Sequence, residues 1–240
     1  MAETIAIFGY GPGLGVGTGR RFGREGFRVA VIGRDPEKAR RHAEELTAEG
    51  VEAAAFPADV TDAAQVTGVI ENIEATFGPI DVAMHGAAGN MSDRLPSTLE
   101  VDVPSLAVPM ALKLHSPILV TRALAPGMVE RGDGALLFTS GSSEYFPAPY
   151  LANFGIALAA QRGYLRQLEI ELRGTGVYVG LLNIGALIEG SKAAQIVDEH
   201  PELIPEGLEL VRISADELGD HYWRLYTERD EVELDVGFPA

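Results

Sequence analysis

Glycines crowd the first turn of this chain and carry its clearest chemical signal. An apolar run over residues 5–8 ends at Gly9, and Gly13 and Gly15 follow at the spacing G-x-x-x-G-x-G, which also fits registers that begin at Gly11 or Gly13. Glycine lets backbone adopt positive φ or approach a phosphate closely, and a helix that begins there offers free N–H groups to an anion. The pattern predicts a strand, a turn and a helix that bind a nucleotide pyrophosphate.

Composition narrows the class of protein. The 240 residues are 46% hydrophobic, which suffices for the core of one α/β domain. A net charge of −16, from 35 acidic and 19 basic residues with no basic run, argues against a nucleic-acid partner. The chain has no cysteine, which excludes thiolate metal sites, and its five histidines lack metal-ligand spacing, so no metal is expected.

The sequence gives no sign of a membrane or export signal. It has neither a basic N-terminal segment followed by a long apolar stretch nor an uncharged apolar run of about 18 residues. Because the absence of cysteine fits a reducing compartment, we expect a cytoplasmic protein without a membrane partner.

Strand-like and helix-like segments alternate along the chain with short connections. Strands are expected at residues 27–32, 51–56, 80–84, 135–139 and 176–182, and a last strand in 231–240. Helices are expected at 14–26, after the Asp35-Pro36 cap, at 62–77 and from Ser214. This order predicts a doubly wound parallel sheet (Rossmann fold) in a three-layer α/β/α sandwich, as one domain over residues 1–240.

The motifs resemble those of the short-chain dehydrogenase/reductase family. Ala58-Asp59-Val60 follows the third strand, the small residues Gly86 and Ala87 follow the fourth, and Gly185 follows the sixth, where the family binds its cofactor. The resemblance implies cofactor contacts at Gly9, Tyr10, Gly13, Leu14, Gly15, Asp59, Val60, Gly86, Ala87 and Gly185. His85 and Gly86 stand where the family has two asparagines, and a buried, satisfied histidine is the simpler interpretation of His85.

The end of the second strand selects the cofactor. In the family, a carboxylate at this point binds the ribose hydroxyls of NAD, whereas a cation binds the 2′-phosphate of NADP. Gly33 occupies the carboxylate position and Arg34 follows it, which resembles the NADP-preferring form. The competing ribose ligand, Asp35, is more simply explained as a helix cap before Pro36. We therefore expect NADP(H) as the cofactor.

The chain departs from the family at all four positions that carry catalysis. The family uses a Tyr as proton donor, a Lys four residues later that lowers its pKa, and Ser and Asn as orienting groups. Matching the flanking motifs places Phe154 at the Tyr position, Leu158 at the Lys position, Gly141 at the Ser position and Lys113 at the Asn position. Hydride transfer then needs another proton source or a substrate that needs none.

Three residues are candidates for a replacement. Tyr150 lies one helical turn before Phe154, Ser142 adjoins the Ser position, and Lys113 occupies the Asn position. Tyr150 can equally be a packing aromatic. The helix that carries Lys113 contains Pro104, Pro109 and Pro117 and must be kinked, and His115 cannot share a face with Lys113.

These features favour an NADPH-dependent oxidoreductase that reduces a small organic carbonyl, imine or enone with a non-standard proton donor. A non-redox cyclase or dehydratase on the same fold, or a cofactor-binding protein without catalysis, are the alternatives. Residues 190–212 are expected to form a lid over the small-molecule substrate. The segment 152–160 is apolar almost all round, which predicts a homodimer or homotetramer.

Overall fold

The computed structural model describes residues 2–88, 96–144, 151–201 and 211–238, and within them nine strands and eight α-helices. The strands are β1 (Thr4–Phe8), β2 (Arg28–Gly33), β3 (Ala53–Pro57), β4 (Val82–His85), β5 (Gly134–Gly141), β6 (Val177–Ile184), β7 (Leu187–Ile188), β8 (Arg212–Ile213) and β9 (Glu233–Val236). The helices are α1 (Leu14–Arg24), α2 (Pro36–Ala48), α3 (Ala63–Phe77), α4 (Val103–Met110), α5 (Ser116–Arg131), α6 (Ala152–Leu172), α7 (Lys192–Glu199) and α8 (Ala215–Glu228).

Seven strands form one parallel sheet in the order β3-β2-β1-β4-β5-β6-β9. One buried cluster joins the sheet to α3, α5 and α6, and a second joins its other face to α1, α2 and α8. The predicted doubly wound, three-layer sandwich is therefore confirmed. The strand order reverses between β1 and β4, and ligands of such folds bind at the carboxyl ends of the strands beside that reversal.

The start of α2 confirms the predicted helix cap. Asp35 has extended backbone and its carboxylate accepts hydrogen bonds from the backbone N–H groups of Glu37 and Lys38, each at 3.1 Å. Pro36 is the first helical residue, where its missing N–H leaves no hydrogen bond unmade. The Asp35 side chain is thus engaged by its own helix.

The proline-rich helix is interrupted as the sequence predicts. Between α4 and α5 the chain forms a π-helical turn at Ala111–His115, a wider turn with i to i+5 hydrogen bonds. Pro117 has no N–H to donate to the carbonyl of Lys113, which removes one α-helical hydrogen bond at this point. The turn directs Lys113 inward, where it is 6% exposed, and leaves His115 on the surface.

Element boundaries and one small sheet differ from the sequence-based expectation. Strands β2 and β3 each begin later than predicted, and β5 and β6 each extend two residues further toward their carboxyl ends. Strands β7 and β8 pair in a separate two-stranded sheet that the sequence does not predict. Strands of two residues carry too little periodicity to be recognised.

One stretch of the described chain, Val103–Arg131, has the length and composition of a membrane-crossing helix. In the fold this stretch is α4, the π-helical turn and α5, and its Val120, Leu124 and Met128 lie in the core cluster under the sheet. Helices that pack on a core pass the same test, so this stretch is weak evidence for a membrane span.

Candidate functional site

A cavity of about 380 Å³ opens at the carboxyl ends of the strands on both sides of the chain reversal. Its walls come from the turn after β1, the ends of β2, β4 and β5, the π-helical turn and the segment after β7. The residues that line it are Gly9, Tyr10, Gly11, Pro12, Gly13, Leu14, Gly15, Gly33, Arg34, Ala58, Val60, Gly86, Ala87, Ala88, Leu112, Lys113, Thr139, Ile188, Ser191 and Lys192.

The glycine turn is shaped by contacts that a side chain would prevent. Gly9 has a φ of +86°, and a Cβ there would lie 2.5 Å from the Cα atom of Ala87. A Cβ on Gly13 would lie 2.8 Å from the Ile188 side chain and 3.6 Å from the Cβ atom of Ser191, so the end of β7 and the segment after it pack directly on the turn. Helix α1 begins at Leu14 with its amino end at this wall of the cavity. The turn therefore fits a group whose phosphates approach backbone closely, such as a dinucleotide.

Arg34 supplies a cation at the β2 end of the cavity. Among the described residues no carboxylate lies within ion-pair distance of Arg34, and the neighbouring Asp35 caps α2. Asp59 accepts hydrogen bonds from Thr61, which hold the pKa of its carboxyl low, and the charge of Arg34 lowers that pKa further. Among the described lining residues, this end of the cavity thus offers a positive side chain and no ribose-binding carboxylate.

Lys113 lies at the other end of the same cavity, on the π-helical turn. Its side chain is buried, and within the described residues no hydrogen bond or ion pair reaches its ammonium group. Burial lowers the pKa of Lys113 from its ordinary value of 10.5 to about 8, because taking an ammonium out of water disfavours the charged form. Lys113 can therefore exchange a proton near neutral pH.

His85 lies next to Lys113, at the end of β4. Its Nε2 atom is 2.7 Å from the Ser116 hydroxyl, while its Nδ1 atom is buried without a partner in the described chain. Burial lowers the pKa of His85 to about 3, and the charge of Lys113 lowers it further. His85 is thus a neutral, buried side chain that cannot neutralise the Lys113 ammonium.

Several lining residues were not identified from the sequence. Thr139 at the end of β5 donates its hydroxyl hydrogen to the Tyr222 phenol at 2.6 Å, and that phenol donates to the Phe138 carbonyl. Ser191 and Lys192 reach the cavity from the start of α7. Only the register of β5 could have indicated Thr139, since its side chain points to the opposite face from Ser140.

The sequence-based site residues divide into three groups. Gly9, Tyr10, Gly13, Leu14, Gly15, Arg34, Val60, Gly86, Ala87 and Lys113 all line the cavity. Asp59, Gly185 and Ser142 are described residues that do not line it. A Cβ on Gly185 would lie 2.7 Å from the Phe238 ring, and Ser142 begins a short 3₁₀ turn after β5. Tyr150 lies outside the described residues.

Comparison with known proteins identifies the family. The model of the short chain dehydrogenase family matches residues 3–198, most of the chain. The chain belongs to this family. A 2-(S)-hydroxypropyl-CoM dehydrogenase of Xanthobacter autotrophicus is 30% identical to this short-chain dehydrogenase over 205 residues. The matched segment covers 84% of this chain and 78% of the relative.

Solved structures support the same fold. Actinorhodin polyketide ketoreductase, solved with NADPH, superposes with a TM-score of 0.87 at 22% identity over 99% of this chain and 96% of that one. Gluconate 5-dehydrogenase of Burkholderia cenocepacia, solved with NADP and tartrate, gives a TM-score of 0.81 at 23% identity over 98% and 93%. At these identities the likeness establishes the Rossmann fold.

Proposed function

We propose that this short-chain dehydrogenase is an NADPH-dependent oxidoreductase that reduces a small organic carbonyl, imine or enone, with Lys113 as its proton donor. The observation that carries the proposal is that one cavity joins the glycine turn, the Arg34 cation and the buried Lys113. The structural relatives solved with NADPH or NADP support the choice of cofactor.

The chain's own residues support binding of a phosphorylated dinucleotide. Gly9 and Gly13 keep the wall of the cavity free of side chains, and the amino end of α1 attracts a pyrophosphate. Arg34 would pair with a 2′-phosphate, which a carboxylate at the same place would repel. Because Asp35 is engaged as a cap, it does not compete for the ribose of NADH.

Reduction of a carbonyl requires a hydride and a proton. NADPH supplies the hydride when it is bound. Lys113 donates a proton from its ammonium to the substrate oxygen, so that the C=O bond becomes CH–OH, and the neutral amine then regains a proton from solvent. A positioned general acid contributes roughly 10²–10⁴-fold to the rate, and it is most effective when its pKa lies near the working pH.

We also propose that the usual Ser, Tyr and Lys of the family are absent from this active site. Leu158 is 4% exposed, and its Cδ1 atom lies 3.6 Å from the position that a Cβ on Gly141 would take. An apolar side chain thus faces a glycine where the resemblance expects a lysine and a serine. Phe154 precedes Leu158 by one turn of α6, so neither position offers a proton. Tyr150 and Ser142 are the other candidate donors.

The remaining proposals concern the domain and its lid, the oligomeric state and the cellular location of the protein. We propose that residues 1–240 form one domain and that the segment 190–212 acts as a substrate lid, since Ser191 and Lys192 reach the cavity. Residues 202–210 of this segment lie outside the described residues. Exposed apolar side chains on α4 and α6, among them Val103 at 82% and Ile156 at 43%, support a homodimer or homotetramer. We propose a cytoplasmic protein without nucleic-acid partners.

Titration with NADPH and NADH, followed by carbonyl, imine and enone panels, tests the proposal. NADPH should bind more tightly than NADH, by about 10-fold or more, and Arg34→Glu should abolish that preference. Arg41→Glu is the matched control, because Arg41 is an exposed cation on α2 that does not line the cavity. Equal losses of NADH and NADPH affinity in Arg34→Glu would contradict the cofactor assignment.

The substrate panels separate the alternative functions. Oxidation of NADPH with any panel member, slowed roughly 10²-fold or more in Lys113→Met, is the expected result. Coenzyme binding without oxidation in any panel would favour a non-catalytic binding protein. Product formation without coenzyme oxidation would favour a cyclase or dehydratase.

A further inference from the structure

The described charged side chains that line the cavity are basic, although the chain as a whole is acidic. The sequence carries 35 acidic residues against 19 basic ones, yet the charged side chains that line the cavity in the described part of the chain are Arg34, Lys113 and Lys192. None of the lining residues that the structure describes is acidic. A cavity lined by one sign of charge concentrates ligands of the opposite sign.

Lys113 stands out among these cations because of its burial. It is 6% exposed and opens into the cavity, and among the described residues no carboxylate pairs with it. A buried ammonium without a counter-ion is costly, and proteins normally pair such a group or bind an anion to it. Within the described residues, the remaining source of a counter-ion is a bound ligand.

In the described ranges, the elements around Lys113 offer no alternative counter-ion. On β4 the neighbour is the neutral His85, and on its own helix His115 faces the surface. Helix α4 and the first nine residues of α6 contain no charged residue. Beyond β5, Glu144 pairs with Arg162, and the remaining charges at the cavity, Arg34 and Lys192, have the same sign as Lys113.

We propose that the substrate is an oxo acid, a carbonyl compound whose carboxylate lies one or two carbons from the carbonyl carbon. This inference rests on the proposed function and adds the substrate class. An ammonium has three N–H donors, so Lys113 can contact the carboxylate with one and the carbonyl oxygen with another. Both contacts are possible together only when the two groups are close in the substrate.

The chemistry balances with this substrate. The carbonyl carbon gains a hydride from NADPH, its oxygen gains a proton from Lys113, and the product is a hydroxy acid together with NADP⁺. The carboxylate is unchanged in the reaction and favours the protonated form of Lys113 before the proton is transferred. A cationic iminium substrate would be repelled by the same side chain.

The first test compares acids with their esters. With NADPH saturating, 2-oxobutyrate and acetoacetate should be reduced with a kcat/KM at least about 10-fold higher than their methyl esters. The preference for acids should persist in Lys113→Arg and in the control Arg173→Met, which removes an exposed cation at the carboxyl-terminal cap of α6. In Lys113→Met the ratio of acid to ester kcat/KM should fall to about one. Reduction of esters as efficiently as acids would overturn the inference and leave the proposed reductase function intact.

The second test uses binding alone and needs no variant. Calorimetry of 2-oxobutyrate binding to the NADP⁺ complex, in buffers of different ionisation enthalpy, measures the protons taken up. Because burial lowers the pKa of Lys113 to about 8, the amine is mostly neutral at about pH 8.5. Binding of the carboxylate should therefore take up more than about half a proton per site. Binding without proton uptake, or no binding of either oxo acid by a protein that binds NADP⁺, would refute the inference.

Discussion

Replacing Lys113 by Met should make the unliganded protein more stable while it removes most of the reductase activity. The lysine is buried, and no hydrogen bond or ion pair reaches its ammonium within the described residues. Methionine has a similar length and no charge, so it fills the same space without a desolvation cost. A side chain that lowers stability is expected where function requires a buried charge.

The magnitude follows from the pKa of Lys113. A decrease from 10.5 to about 8 corresponds to about 3 kcal/mol, at about 1.4 kcal/mol per pKa unit. Below about pH 8 Lys113 is protonated in the folded protein, so the free energy of unfolding is lowered by this full amount. Between about pH 8 and 10.5 the unfolded chain binds a proton that the folded chain does not, so the stability of the wild type rises relative to Lys113→Met as pH increases. The advantage of the variant should be about 3 kcal/mol at about pH 7 and about 1 kcal/mol at about pH 9.5.

Urea unfolding of both proteins at the two pH values measures this difference. Other titrating groups are common to the two proteins and cancel in the comparison. The control Arg173→Met removes a cation whose side chain is 70% exposed and should change the free energy of unfolding by less than about 0.5 kcal/mol. A variant that is no more stable than the wild type at about pH 7, or a difference that does not change with pH, would refute the assignment of Lys113 as a buried, unpaired charge.

Three further predictions concern the turn, the pH dependence and the oligomer. Gly9→Ala should lower the free energy of unfolding by about 2 kcal/mol or more, because Gly9 has a φ of +86° and a Cβ there would clash with Ala87. The control Gly11→Ala should have little effect, because a Cβ on Gly11 would lie in open space. In steady-state kinetics, kcat/KM for reduction should be constant below about pH 8 and fall about tenfold per pH unit above it, because Lys113 loses its proton there. A flat pH profile up to about pH 10 would exclude Lys113 as the proton donor. Val103→Glu, at a side chain 82% exposed, should give monomers in sedimentation velocity without loss of folding; an unchanged oligomer would place the interface elsewhere.

Local rules explain why much of the fold could be predicted from the sequence. The cap at Asp35 and the capping box at Ser214 and Glu217 depend on neighbours within three residues, so their spacing was sufficient. The alternation of strands and helices fixed the fold class because parallel strands require crossover helices. Pro117 predicts an interruption of its helix because it lacks the N–H that would bond the carbonyl four residues earlier.

The candidate site could be predicted only in part because its walls come from distant parts of the chain. The glycine turn is one continuous motif, whereas Thr139 and Ile188 reach the cavity through tertiary packing that leaves no local pattern. Lys113 could be matched to a family position, but its burial depends on a π-helical turn that shifts the helical register. The sequence does not rank Lys113 above Ser142 as a candidate, and in the fold Lys113 lines the cavity whereas Ser142 begins the 3₁₀ turn after β5.

A crystal structure of the protein with NADP⁺ and 2-oxobutyrate tests the proposed site most directly. The Arg34 guanidinium should contact the 2′-phosphate, and the Lys113 Nζ atom should lie within about 3 Å of a substrate oxygen on the nicotinamide side. A coenzyme bound in the opposite direction, with Lys113 beside the adenine, would contradict the proposed site. So would a substrate whose oxygens are held by other side chains while Lys113 remains without a partner.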